Sequence, residues 1–252
     1  MKKTLIWSAV VVALFVFGAC GGGGSDDKSV KLFGATNPIG VSVLVMLSPE
    51  DGSFMSTIGP IAGPTTGYKI TGLEYDATND TLYGTSNSTD FLEIDMATGG
   101  ATAITPGPGI VITRPTVDSY GFMVAWSPHA TGDDVLVFVD QDTGETTEFP
   151  DYGISFSEHG IAFDNHDILY IINSNGDVYT GVNNLLLLTG NIGSRAHHGD
   201  FHPETGHYWG IDNTNDSGGN PRHLLVVDVN TPAVMDSLAT VDYLSAVTFY
   251  YD

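Results

Sequence analysis

Residues 70–104 read ITGLEYDATNDTLYGTSNSTDFLEIDMATGGATAI, and the pattern of this stretch returns along everything that follows the N-terminal leader. Four short β-type runs stand in it, at 71–75, 81–85, 91–95 and 101–105, each bounded by turn residues. Asp95-Met96-Ala97-Thr98-Gly99 joins the last two as a hairpin. Its Asp can bond the turn backbone, and its Gly is free to take positive φ before the return strand.

Aligning such hairpins makes the repeat explicit. Residues 44–52 (LVMLSPEDG), 92–99 (LEIDMATG), 136–144 (LVFVDQDTG) and 225–232 (LVVDVNTP) share an apolar strand, a polar turn and a return strand. The upstream strand pairs recur as well, at 72–84, at 114–121 with a shortened turn, at 160–170 and at 199–210. A period of about 40–47 residues is that of four-stranded propeller blades, which cannot bury both faces alone and therefore stack in a ring. The first repeat, opening at Lys31, lacks a first strand, while residues 244–249 (LSAVTF) align with first strands and have nothing after them. The two fragments complete each other. The sequence therefore predicts an all-β fold, a five-bladed β-propeller of four-stranded blades, closed by the C-terminal strand pairing into the N-terminal blade. The blades fall at 31–58 with 244–249, then 70–105, 112–149, 158–189 and 197–238.

The run GLEYD…LYG…LEID-x-x-TG resembles the secreted propellers with YVTN- or NHL-like repeats, over nearly the whole chain after the leader. That resemblance implies fold rather than function, because such propellers include binding proteins, scaffolds, lyases and hydrolases.

The leader supplies an address. Met1-Lys2-Lys3 precedes an apolar run at 5–17, a positive segment and a hydrophobic segment of signal-peptide length, too short to span a bilayer. Gly18-Ala19-Cys20 at its end resembles the lipobox of bacterial lipoproteins, with Phe17 where Leu is usual. Cys20 is the only cysteine, so it has no internal disulfide partner, and lipidation explains it. Ordinary cleavage after Ala19 would instead leave a free thiol. The expected organisation is a signal peptide at 1–19, an anchor cysteine and Gly-rich linker at 20–29, and a propeller at 30–252. Gly21 after the cysteine implies, by the same resemblance, the outer membrane of a Gram-negative cell or the surface of a Gram-positive one.

Thirty acidic residues face eight Lys and Arg, a formal charge of −22. So acidic a chain excludes nucleic acid as a partner and favours solubility or cation binding. The partners left are the membrane, through the anchor, and an extracellular protein or glycan.

In a propeller the first strand of each blade lines the central channel. Aligned on Tyr75, Val117, Phe163, Phe201 and Phe249, the preceding residues are Glu74, Thr116, Ala162, Asp200 and Thr248. Two residues earlier, by strand alternation, come Gly72, Arg114, Gly160, His198 and Ala246. Glu74, Arg114, His198 and Asp200 should thus converge, with Glu158 and His159 at the same mouth. Glu74, His198 and Asp200 are candidate ligands for a divalent cation, the one cofactor this set could take, or partners in acid–base chemistry. The plainer reading is a polar, water-filled channel with Arg114 as counter-charge.

Residues 197–207 hold four of the eight histidines, but alternation sends His197 and His198 to opposite faces, and His202 and His207 fall in the following turn. Asp212-Asn213-Thr214-Asn215-Asp216-Ser217-Gly218 lacks the terminal Glu of an EF-hand loop and reads as a polar turn, as does 173–177. No Gly-x-Ser-x-Gly or phosphate loop is present. These features together predict a surface-anchored binding module, with a channel-centred hydrolase or lyase acting on a carbohydrate or other small extracellular molecule as the alternative.

Overall fold

The computed structural model describes residues 29–37, 40–128, 134–149, 160–182, 185–212 and 222–251. Among these residues, twenty strands build five antiparallel sheets. The first blade holds β1 (Val30–Thr36), β2 (Val43–Leu47) and β3 (Phe54–Pro60), and the second β4 (Ile70–Asp76), β5 (Thr81–Ser86), β6 (Phe91–Ile94) and β7 (Ala101–Ala103). The third holds β8 (Thr113–Val117), β9 (Met123–Ser127), β10 (Val135–Val139) and β11 (Thr146–Glu148). The fourth holds β12 (Gly160–Phe163), β13 (Leu169–Ile172), β14 (Asp177–Val182) and β15 (Leu185–Asn191), and the fifth β16 (Ala196–Phe201), β17 (Tyr208–Asp212), β18 (His223–Asp228) and β19 (Ala233–Ala239). The last strand, β20 (Leu244–Tyr251), pairs antiparallel with β1, from Val30 opposite Tyr251 to Thr36 opposite Leu244, and completes the first blade.

The alternation of each strand explains why these sheets stack in a ring. Leu32 packs against Trp209 and Leu224 of the fifth blade, while its neighbour Phe33 packs with Leu73 and Leu82 of the second. Met123 and Ala125 join Tyr83 and Phe91, whereas Val124 and Trp126 join Ile161 and Ile171. Each interface between adjacent blades thus has its own apolar cluster, and no single core serves the whole. Burial falls from the axis outward: β4 is buried at six of its seven residues, while β3, β15 and β19 are mostly exposed.

The hairpin Asp works as the sequence implies. Asp95 Oδ1 accepts from the N–H groups of Ala97 (2.9 Å) and Thr98 (2.8 Å), and Asp140 and Asp228 hold their turns in the same way. Gly99 has φ of 77°, and a β-carbon there would stand 2.8 Å from the Gly59 carbonyl oxygen of the preceding blade. The turn glycine therefore meets both a backbone need and a close approach between blades.

Candidate functional site

The inner strands β20, β4, β8, β12 and β16 surround the axis, each packed on the next. An inner strand has no hydrogen-bonding neighbour on its axial edge, so its N–H groups there need acceptors from elsewhere. The aligned polar side chains supply them, each reaching one blade forward. Tyr75 N–H donates to Thr248 Oγ1 (3.1 Å), Val117 N–H to Glu74 Oε1 (2.8 Å), Phe163 N–H to Thr116 Oγ1 (3.1 Å) and Phe249 N–H to Asp200 Oδ2 (2.8 Å). At the fifth seam Ala162 offers no acceptor, and Phe201 N–H turns to Oδ1 of its own neighbour Asp200 (2.7 Å). Thr248 Oγ1 also donates to Asp200 Oδ2 (3.1 Å), so both oxygens of Asp200 are engaged.

The layer two residues away closes the channel. A β-carbon on Gly72 would lie 2.5 Å from Pro115 Cδ, and one on Gly160 would lie 2.2 Å from Tyr208 Oη. His198 fills the middle with both ring nitrogens against backbone donors, Nε2 at 3.1 Å from Leu73 N and Nδ1 at 3.3 Å from Val247 N. A neutral ring carries one N–H, so it accepts only one of these at a time, and an imidazolium would accept neither. Burial, then the charge of Arg114, pushes His198 down to about 3. His198 is a neutral plug.

A bulge changes the rest of this layer. The register of β16 shifts between Ala196 and Gly199, so His197, which alternation would send outward, meets Arg114 Nη2 at 3.4 Å from its Nδ1. The β8 register shifts at the equivalent place, between Thr113 and Thr116, and Arg114 itself takes φ of 51°. Arg114 is therefore not set against the carboxyls as their counter-charge; its field falls on His197 and His198. His202 accepts at Nδ1 from Glu204 N–H (3.2 Å), with its ring against Phe249 and Trp209. Among the described residues no three or more His, Cys, Asp or Glu side chains converge as metal ligands, and His197 and His198 lie a layer away from Glu74 and Asp200. Glu158, His159, the 213–218 turn and Cys20 lie outside the described residues.

Above the plug a cavity of about 340 Å³ opens at one mouth. Glu74 and Asp200 line it together with Asp118, Asp164 and Asp167 and an aromatic wall that includes Phe163, Phe201 and Tyr251. Glu74 is 3% exposed, and its Oε2 has no hydrogen-bond partner. Burial, and then the neighbouring Asp200, hold the Glu74 carboxyl well above the usual carboxylate range, against the pull of Val117 N–H and the Thr116 hydroxyl. Burial also pushes Asp200 up to about 6, its three donors opposing.

The residues that follow the alignment column form a second column, Asp76, Asp118, Asp164 and His202, which sequence reasoning missed. The repeats show it plainly as YD, VD, FD and FH. Each caps the turn leaving its inner strand: Asp76 Oδ1 takes Thr78 N–H (2.7 Å), Asp118 Oδ1 takes Phe122 N–H (2.8 Å) and Asp164 Oδ1 takes Ile168 N–H (2.9 Å). Asp167 ties two blades together, accepting the Ser119 N–H (2.7 Å) and hydroxyl (2.9 Å). The acidic rim is first of all a set of turn caps.

Five closed blades and a plugged axis with one open mouth define the class: a five-bladed β-propeller. The fold is shared with TolB from Acinetobacter baumannii, at 16% identity and a TM-score of 0.54 over 83% of this chain and 52% of that one, so the chain spans about half the length of TolB. It is shared also with a chain of the nidogen/laminin complex, at 15% identity and a TM-score of 0.57 over 88% of this chain and 98% of that one. No protein-family model matches the sequence, and no curated protein matches it.

Proposed function

We propose that this chain is an exported lipoprotein whose propeller, of YVTN or NHL type, is a binding module of the cell envelope. Residues 1–19 direct export, Cys20 carries the lipid, 20–29 form the tether and 30–252 the propeller, on the outer membrane or the cell surface. The mouth at the axis is the binding face, toward an extracellular protein or glycan. Like folds in an A. baumannii TolB and in a nidogen/laminin assembly are consistent with such a role.

The observation that carries this reading is how the channel side chains are used. Thr116, Thr248, Asp200 and one oxygen of Glu74 accept backbone N–H groups across the seams. A hydrolase or lyase at the axis needs two available carboxyls, or a carboxyl and a histidine, at one point. Here both oxygens of Asp200 are engaged and His198 lies a layer below, which favours recognition over catalysis.

Two measurements test the proposal. Cys20→Ser is expected to move the protein from the membrane to the soluble fraction and to end incorporation of labelled palmitate; unchanged membrane retention refutes the anchor. A photo-crosslinking residue at Tyr251, on the mouth, is expected to trap a cell-envelope component that one at Leu187, on the outer strand β15, does not. Equal trapping at both sites refutes the mouth as the binding face.

A further inference from the structure

Glu74 is over-qualified for its structural duty. At two equivalent seams a threonine hydroxyl does the same work, accepting one N–H at 3.1 Å. A carboxyl at this position brings a second oxygen, Oε2, buried at the floor of the mouth cavity with no partner. Burying such a group is costly unless something pairs with it. Neighbouring Asp200 makes the position still less comfortable for a negative charge, and among the described residues no cationic side chain lines the cavity apart from what His202 would contribute if protonated. Burial holds His202 below its ordinary value, so it brings no charge at neutral pH.

We propose that the mouth cavity binds an organic cation, an alkylammonium or guanidinium group, which Glu74 receives through Oε2 beneath a wall of aromatic side chains. This rests on reading the mouth as a binding face, and names the chemistry of what it takes. A divalent metal fits poorly: calcium needs six to eight oxygens, and both oxygens of Asp200 and of Asp167, with Oδ1 of Asp118, already serve backbone and hydroxyl donors. An organic cation needs one carboxylate and ring faces, and Phe163, Phe201, Phe249 and Tyr251 line the space above Glu74. The rim charge of Asp118, Asp164 and Asp167 steers cations inward.

Entry of the cation relieves the repulsion between Glu74 and Asp200, so binding drives Glu74 to ionise and releases its proton. The charged and titratable groups facing Glu74 are Asp76 on its own strand, Asp118 beyond β8, Asp164 and Asp167 beyond β12, Asp200 and His202 on and beyond β16, and Tyr251 on β20. Acidification reprotonates Glu74 and, below about pH 6, Asp200, and both changes weaken binding.

The test is calorimetric titration of the full-length protein in neutral detergent with methylguanidinium and n-butylammonium chlorides, at constant ionic strength, in two buffers of different ionisation heat. Expected are binding with proton release at pH values below the folded-state pKa of Glu74, and an affinity that falls about tenfold for each further pH unit. Glu74→Gln keeps an amide oxygen for Val117 N–H; it should melt cooperatively, bind at least tenfold more weakly and release no proton. Should that variant fail to fold, Ala77→Arg, at an exposed mouth position, supplies a guanidinium in place and is expected to exclude both probes. An acetylated Gly-Arg-Gly amide compared with 1,4-diaminobutane separates a partner's side chain from a free amine, the tighter binder naming the source. Absence of binding by every probe, binding without proton release that survives Glu74→Gln, or displacement of the probes by calcium chloride overturns the proposal. If the probes fail while Tyr251 still cross-links, the cation chemistry falls and the binding face stands.

Discussion

Replacing Thr116 with valine keeps the outline of the side chain and removes one oxygen, the acceptor at the seam between the third and fourth blades, together with the pull of that hydroxyl on Glu74. Thr116 is 1% exposed, and its hydroxyl is the acceptor for Phe163 N–H at 3.1 Å. Without it the amide is left on the axial edge of β12, where the ladder offers no alternative. A buried donor without a partner costs about 1–3 kcal/mol. For a chain of this size each kcal/mol lowers Tm by roughly 2–4 °C, so a fall of about 2–12 °C is expected. Thr248→Val is the stronger case. It orphans Tyr75 N–H and also removes a hydroxyl donor from Asp200, and a hydrogen bond to a charged group adds about 1.5–3 kcal/mol. The order wild type, Thr116→Val, Thr248→Val should therefore appear in urea unfolding followed by the fluorescence of buried Trp126 and Trp209, at unchanged m-value. If Thr116→Val lies within 0.5 kcal/mol of wild type, or Thr248→Val is no worse than Thr116→Val, the seam account of the channel is wrong.

Truncation after Asp242 removes β20, with buried Leu244, Val247 and Phe249, and unpairs β1 along its whole length, so the shortened chain should lose cooperative unfolding; a melt like that of the full chain refutes closure. Acidification should also pull stability in two directions. His198 has a folded value of about 3, below its unfolded 6.5, so its contribution is complete above pH 6.5 and is lost as pH falls toward 3, about 3 kcal/mol by pH 4, with His197 acting in the same direction. Asp200 acts oppositely: its folded value of about 6 exceeds the unfolded 3.8, so its contribution is present below pH 3.8 and lost as pH rises through 6, about 3 kcal/mol in all. Glu74, held well above the usual carboxylate range, acts in the direction of Asp200, so the wild-type profile is a difference of opposing contributions. Asp200→Asn should lower stability at pH 4 relative to pH 7 in urea unfolding, and a difference between the two pH values that Asp200→Asn leaves unchanged would refute the raised Asp200 carboxyl.

The blades were legible because their cause is local. A period-two apolar pattern, a turn glycine and an Asp at the head of each hairpin lie within ten residues of one another, and two half-blades at the chain ends admit one pairing. Strand ends differ by only a few residues, as where β20 runs on to Tyr251 past Phe249. The channel residues were legible as positions and not as roles. Alternation put Glu74, Thr116, Asp200 and Thr248 on the axis, but the N–H that each accepts lies 43–173 residues away on the next blade. Nothing in a single strand shows such a partner. Strict alternation also hid the bulges, although Pro115 beside Arg114 is a signal for one, because proline cannot donate to a ladder. The turn-capping column stands in the same alignment, at the residues just after the aromatic position rather than at those just before it.

What distinguishes one point on a nearly fivefold ring is the seam that breaks the pattern. At Ala162 the chain offers no acceptor, so Phe201 N–H is held by Asp200 Oδ1 while Asp200 Oδ2 serves its own seam and the Thr248 hydroxyl. Three donors make Asp200 a satisfied carboxyl that ionises near pH 6 despite its burial. Glu74, with Val117 N–H on Oε1 and the weaker pull of the Thr116 hydroxyl, lies beside it and is held well above the usual range, first by burial and then by the charge Asp200 keeps. Had residue 162 carried a hydroxyl, Asp200 Oδ1 would be free and the two carboxyls more nearly alike. The missing acceptor in the fourth blade thus concentrates the unmet electrostatic demand of the mouth on a single oxygen of the second, in a side chain that lines the cavity of about 340 Å³.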